Sequence, residues 1–153
     1  MILFIVATAN IFSFIVSTQQ VPMKLSNLVL GITHSKALVL LLINIILLIN
    51  GCFMETTAST FIYTPILYPL IKKLGVDPIQ FGVIIVMNLT MGLVTPPLGI
   101  NLFVADGLDK RVNFNEQVKN VWPLFIALVV VLMLVTYVPG FSTFLVELMR
   151  AHK

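Results

Sequence analysis

Charged residues divide this chain into apolar blocks. Four stretches of at least 18 residues carry no Asp, Glu, Lys or Arg: 1–23, 37–54, 78–105 and 120–146. A bilayer-spanning helix needs about 20 predominantly apolar residues, so three of the four are long enough and 37–54 is borderline. Residues 1–17 predict a first apolar helix. In 17–36, Pro22 suits a first helical turn, and Leu25, Leu28, Val29 and Ile32 recur at helical spacing, which predicts a short amphipathic helix along the membrane interface. Residues 37–53 read as a helix interrupted only by Asn44 and Asn50.

A polar tip, "GCFMETTAS" (51–59), follows, and then a second short helix over 60–73 with kinks expected at Pro65 and Pro69. Gly75 ends that helix, and Asp77-Pro78 opens the next as N-cap and first helical residue. Residues 79–94 and 98–106 predict two half-helices around Thr95-Pro96-Pro97, since each proline lacks an N–H and clashes with the preceding turn. Residues 106–120 form the longest polar loop. A last span covers 121–138, with Trp122 and Tyr137 at its two ends where interfacial aromatics belong, and Pro139-Gly140 closes it before an amphipathic tail. The blocks are thus 1–36, 37–73, 74–106, 107–120 and 121–153, an all-α membrane protein built as a polytopic helical bundle.

Composition agrees. The 153 residues are 59% hydrophobic and 10% charged, against about a quarter charged in soluble domains; mean hydropathy is +1.07. The net charge of +3 comes from scattered Lys and Arg with no basic face, so it points to orientation signals and membrane lipid, with no nucleic acid partner. Cys52 is the one cysteine, which excludes an internal disulfide and reads as a small buried residue. "MILFIVATANIFSFIV" has neither a positive n-region nor a cleavage pattern, so a secretory signal is not expected. It reads as a helix entered partway along, and the expectation is a C-terminal piece of a larger polytopic protein or the product of a truncated reading frame.

Lys36 and Lys72-Lys73 bracket 37–72, which places both ends of that hairpin on one face of the membrane. Each arm reaches roughly 24–28 Å at 1.5 Å per residue against a core of ~30 Å, so length leaves both a full crossing and a re-entrant hairpin open. The tip mixes Gly51, Glu55 and hydroxyls with Phe53 and Met54, which suits a tip lodged in protein near the membrane interior. With the hairpin base, Lys24, Arg150 and Lys153 on one side and Lys110, Arg111 and Lys119 on the other, the positive-inside bias puts the base and C-terminus in the cytoplasm.

Backbone that leaves the helix at membrane depth must line a cavity or be buried in protein. It exposes carbonyls that can hold a cation at the end of one half-helix and N–H groups that face an anion at the start of the next. Two places offer this. At the break, carbonyls of Gly92, Leu93 and Val94 would be freed, Thr95 adds a hydroxyl, and Asn101 lies one turn into the second half. At the hairpin tip, carbonyls of Asn50, Gly51 and Cys52 end one arm and Thr56 or Thr57 caps the other. Sodium, a hard cation, would be met by oxygens of Gly51, Thr56, Gly92 and Thr95.

Glu55, the only carboxylate between Lys36 and Asp77, is either a functional acid or a solvated or capping one. Asn44, Asn50 and Asn88 read as interhelical hydrogen-bonding residues rather than ligands. His34 and His152 have no partners at metal-ligand spacing.

The run from "GCFMETTAS" through "LGVDPIQFG" to "TPPLGINLFVA" resembles the C-terminal part of the large, DctM-like permease subunit of tripartite ATP-independent periplasmic (TRAP) transporters. That resemblance implies an elevator-type, sodium-driven importer of organic anions such as C4-dicarboxylates or sialic acid, in the bacterial inner membrane and multi-pass. It also implies a periplasmic solute-binding protein that delivers the substrate, a small membrane subunit as partner, and no cofactor besides sodium as coupling ion. Of two inverted halves, each with a hairpin and a broken helix, this chain matches the second: 37–72 as hairpin, 79–106 as broken helix. The second sodium site would then lie between Gly51–Thr57 and Gly92–Pro96. The first hairpin and its broken helix are absent, so transport belongs to a protein of which this chain is a part.

An enzyme lacks its parts here, with no Gly-x-Ser-x-Gly, no His-Glu-x-x-His and no paired intramembrane aspartates. The remaining alternative is an accessory or structural membrane subunit, or an inactive permease fragment.

Overall fold

A computed structural model describes residues 7–8, 11–12, 14–16, 18–33, 35–95, 99–108 and 114–151. Among the described residues, those at 7–8, 11–12, 14–16 and 18 are helical, and seven helices with defined bounds follow in order: α1 (Val21–Ile32), α2 (Lys36–Gly51), α3 (Thr56–Lys73), α4 (Pro78–Gly92), α5 (Ile100–Leu108), α6 (Phe114–Tyr137) and α7 (Pro139–Ala151). Among the described residues there is no strand. The protein is all-helical.

The hairpin arm α2 buries Val39, Leu40, Ile43, Asn44, Leu47 and Gly51, a stripe at spacings of three and four. Its opposite face is equally apolar, with Leu38, Leu41, Leu42, Ile45, Ile46 and Ile49 exposed. A helix that is hydrophobic all round belongs in a membrane or deep inside a larger protein. In α3, Leu67, Leu70 and Ile71 join that core, while Val76 and, from α4, Phe81, Ile85 and Leu89 complete it. α3 runs as one helix through Pro65 and Pro69 and begins at Thr56, four residues earlier than the apolar pattern alone places it.

The α3–α4 turn is dictated by its residues. Gly75 takes φ 65°; its N–H reaches the Lys72 carbonyl, and the Val76 N–H reaches that of Ile71, both at 3.2 Å. These two bonds make a Schellman close, which needs the left-handed residue that glycine supplies. The Lys36 ammonium donates to the Gly75 carbonyl at 3.2 Å, tying the start of α2 to this turn. Asp77 then caps α4, accepting from the Ile79 N–H at 2.7 Å and the Gln80 N–H at 3.4 Å, with Pro78 in the first turn.

Two further boundaries differ from the sequence expectation. Helix α4 stops at Gly92 rather than Val94. The stretch read as a polar loop up to residue 120 is helical from Phe114 onward, where α6 begins. Polarity was the misleading signal. Glu116, Gln117 and Lys119 are good helix formers, and Glu116 in the first turn suits the positive end of the helix dipole.

α6 is the one described helix long and apolar enough to cross a membrane by length and composition. Its most apolar window is only 11% buried, whereas the core helix of a soluble protein would be mostly buried. α2 and α4 are shorter apolar helices of 16 and 15 residues. α6 packs along α4 through Met91, Phe125 and Leu132.

Candidate functional site

The hairpin tip is four residues long, from Cys52 to Glu55. Its first turn closes tightly. The Cys52 N–H reaches the Ile49 carbonyl at 3.2 Å, and the Phe53 and Met54 N–H groups share the Asn50 carbonyl at 3.0 Å each. Carbonyls of Gly51 and Cys52 receive no donor among the described residues.

Glu55 opens α3. Its carboxylate accepts from the Thr57 N–H at 2.8 Å, the Thr57 hydroxyl at 2.7 Å and the Ala58 N–H at 2.9 Å. The capping residue is therefore Glu55 and not Thr56 or Thr57. Thr57 is exposed and its hydroxyl is committed to the cap. Among the described residues, the buried Thr56 hydroxyl oxygen has no partner, nor do the Asn50 amide nitrogen and the Ser59 hydroxyl.

At the break, the end of α4 tightens into i to i+3 bonds: Leu93 to Thr90, Val94 to Met91 and Thr95 to Gly92, at 3.2, 3.1 and 3.0 Å. Across it, the Gly99 N–H reaches the Thr95 carbonyl at 3.0 Å and the Asn101 N–H reaches that of Leu93 at 3.1 Å. The Gly92 and Leu93 carbonyls thus each hold one donor and keep a second lone pair. The Val94 carbonyl receives none among the described residues. Asn101 is exposed, and no hydrogen bond joins its side chain to the tip. Pro96 and Pro97 lie outside the described residues.

Tip and break meet at two glycines. A Cβ added to Gly92 would lie 2.5 Å from the Gly51 Cα and 2.8 Å from the Cys52 nitrogen. One added to Gly51 would lie 2.8 Å from the Leu89 carbonyl oxygen and 3.1 Å from the Gly92 Cα. Only two residues without side chains let the backbones come this close. The contact brings Gly51, Cys52, Gly92 and Thr95 together: the Cys52 thiol touches the Thr95 side chain and also reaches the Leu48 carbonyl at 3.4 Å. The Thr95 hydroxyl itself donates to the Met91 carbonyl at 2.7 Å.

The chemistry around this contact is hard oxygen: undonated carbonyls of Gly51, Cys52 and Val94, with an unpartnered Thr56 hydroxyl at the start of the returning arm. Oxygen donors of this kind are the ligands that hard cations prefer. Among the described residues, no three of His, Cys, Asp and Glu gather to hold a softer metal.

Below the contact, a polar network joins three helices. The Asn88 amide donates to the Asn44 oxygen at 2.7 Å and to the Ile84 carbonyl at 2.8 Å. The Asn44 amide donates to the Thr136 hydroxyl at 3.0 Å, which donates to the Leu132 carbonyl at 2.7 Å. Gln80 donates to the carbonyls of Val135 and Thr136 at 3.1 and 2.9 Å. Neither Gln80 nor Thr136 stood out from the sequence. A signal existed: Pro139 has no N–H for the Val135 carbonyl four residues back, so a side chain or water has to supply a donor.

Comparison with known proteins supplies the family. The family described as "Tripartite ATP-independent periplasmic transporter, DctM component" matches residues 1–141. The chain belongs to it.

Among DctM relatives, the isethionate TRAP transporter permease protein DctMQ of Oleidesulfovibrio alaskensis is 44% identical over 94% of this chain, which covers 22% of that protein. The C4-dicarboxylate TRAP transporter large permease protein DctM of Rhodobacter capsulatus is 38% identical over 97% of this chain and 34% of its own length. The sialic acid TRAP transporter large permease protein SiaM of Vibrio cholerae is 36% identical over 94% and 33%. The chain therefore spans about a third or less of these DctM relatives. Each relative is a transporter permease by name, and none is named as an enzyme.

Proposed function

We propose that this chain is the C-terminal part of a sodium-coupled TRAP permease that imports an organic anion across the bacterial inner membrane. The observation that carries the reading is the Gly51–Gly92 contact, which sets the hairpin tip against the helix break with oxygen donors on both sides. Sodium would be held by backbone oxygens of Gly51, Cys52 and Val94 with the hydroxyls of Thr56 and Thr95; Gly92 makes the approach possible. The positive end of the α5 helix dipole lies at the break, where a solute anion would be favoured.

The hairpin is read as re-entrant. At 1.5 Å per residue, the arms α2 and α3 extend about 24–27 Å, short of the ~30 Å core, and α2 ends at the same contact as α4. A tip held at mid-depth suits a permease half that moves as an elevator around its bound solute. Names of the relatives span a sulfonate (isethionate) and carboxylates (C4-dicarboxylate, sialic acid), which supports the class organic anion. A periplasmic solute-binding protein would deliver the substrate, and a small membrane subunit would brace the permease, as the joined name DctMQ suggests. The basic hairpin base, Lys36 with Lys72 and Lys73, faces the cytoplasm in this reading.

The test is uptake by the intact permease in proteoliposomes with its binding protein. An imposed inward sodium gradient should drive accumulation of an organic anion. Full accumulation without sodium, driven by a proton gradient alone, would overturn the coupling.

A further inference from the structure

We propose that Asn44, Asn88 and Thr136 are positioning residues: a buried amide lock that sets the register of the hairpin arm α2 against the half-helix α4, and so fixes how tightly tip and break close. In its consequence for sodium, this inference rests on the function proposed above.

The helical spacing carries the argument. Asn44 precedes Gly51 by seven residues, two turns along one face of α2, and Asn88 precedes Gly92 by four, one turn along one face of α4. The bond from Asn88 to Asn44 at 2.7 Å therefore lies on the same helix–helix seam as the glycine contact. Between and around them the seam is aliphatic: Ile43 and Leu47 on α2, Ile85 and Leu89 on α4. Aliphatic packing in an apolar surround tolerates sliding, because lipid tails are as apolar as leucine. An amide pair does not: in the observed register the Asn88 oxygen already has no partner among the described residues, and a shift of one residue would break the Asn88–Asn44 bond as well; single buried asparagines fix helix register in this way.

All three side chains are almost wholly buried, at 2% exposure for Asn44, 0% for Asn88 and 1% for Thr136. Through the bond from Asn44 to Thr136 the lock also reaches α6. The glycines supply the closeness, and the amides supply the register at which the glycines meet.

Cys52 is a built-in reporter. It is 5% exposed and sits beside the glycine contact, so its alkylation by a small membrane-permeant maleimide measures how often tip and break part. This readout does not depend on transport. In the intact permease, with the Cys52 peptide followed by mass spectrometry, Asn88→Leu or Asn44→Leu should raise that rate at least about fivefold, the low end of coupling between linked sites. The double variant Asn44→Leu/Asn88→Leu leaves no orphaned amide, so a network that merely satisfies its own polar atoms would return to the wild-type rate. The lock requires that the double variant stay fast.

Thr136→Val and Thr136→Ser provide a milder pair should the leucine variants insert poorly: Val raises the rate, and Ser restores it. In uptake, the same variants should raise the sodium concentration for half-maximal rate and keep the maximal rate. Wild-type Cys52 alkylation in all of them overturns the lock. Absence of sodium dependence in the wild type overturns the proposed function instead, while the alkylation arm still decides the lock.

Discussion

Gly51 and Gly92 meet backbone against backbone, and neither position has room for a methyl group. A Cβ on Gly92 would stand 2.5 Å from the Gly51 Cα, a Cβ on Gly51 2.8 Å from the Leu89 carbonyl oxygen. Main-chain atoms cannot swing aside as a side-chain end can, so either substitution must push α2 and α4 apart.

Gly92→Ala and Gly51→Ala should therefore lower the unfolding midpoint of the purified permease and abolish coupled uptake. Overpacking of this kind costs about 1–3 kcal/mol. Gly82 is the control: it lies in the same helix α4, and beyond its own helix backbone nothing among the described residues comes within 4 Å of an added Cβ. Gly82→Ala should leave both readouts unchanged. Equal damage from all three would mean the glycine contact is not special.

Thr95 is placed to report on the ion. Its hydroxyl donates to the Met91 carbonyl and its side chain touches Cys52 at the tip. An oxygen with lone pairs to spare remains for a cation. Thr95→Val keeps the shape and removes the oxygen, and should raise the sodium concentration for half-maximal uptake by about tenfold, the equivalent of one lost ligand worth ~1.4 kcal/mol. Thr95→Ser should stay near wild type. Unchanged sodium dependence in Thr95→Val would remove Thr95 from the site.

Much of this architecture was legible because the residues that punctuate it have one physical reading. Gly75 and Asp77-Pro78 announce a helix end and a helix start by backbone chemistry alone, and the structure has both. That a helix break follows α4 was legible for the same reason, although α4 ends earlier than expected, at Gly92, where the glycine meets its partner. The family resemblance set the hairpin tip against the break, but the residues themselves do not say which atoms meet: nothing local to Gly51 or Gly92 says that the two glycines touch. Asn44 and Asn88 were legible as hydrogen-bonding residues, but their pairing was not. Glu55 was left open between functional acid and cap because both need a carboxylate at a helix start, and only the bonds to Thr57 and Ala58 distinguish them.

The Glu55 cap makes its own prediction. Three donors converge on its carboxylate. Glu55→Ala leaves all of them without that acceptor and should cost about 1 kcal/mol, the usual value of an N-cap. Glu55→Gln keeps one acceptor oxygen and should lose less. The midpoint of denaturation in mixed detergent measures both. A Glu55→Ala variant that is fully stable yet cannot transport would instead assign Glu55 to the solute path.

Gln80 offers the last test, because it repairs a defect that Pro139 creates. In a continuous helix the Val135 carbonyl would accept from the N–H of residue 139; proline has none, and the carbonyl is turned inward. Gln80, 2% exposed, donates its amide to that carbonyl and to the next one at Thr136, so α4 finishes the hydrogen bonding of α6. Gln80→Leu fills the space but leaves two carbonyls without this donor, and should cost about 1–3 kcal/mol for buried groups left unsatisfied. Gln80→Glu should be worse at neutral pH, since an ionised carboxylate has no donor and faces two carbonyl oxygens. Amide exchange at the α6–α7 junction should rise in both, in that order. If Gln80→Leu exchanges like the wild type, water rather than Gln80 serves those carbonyls, and the junction is open to it.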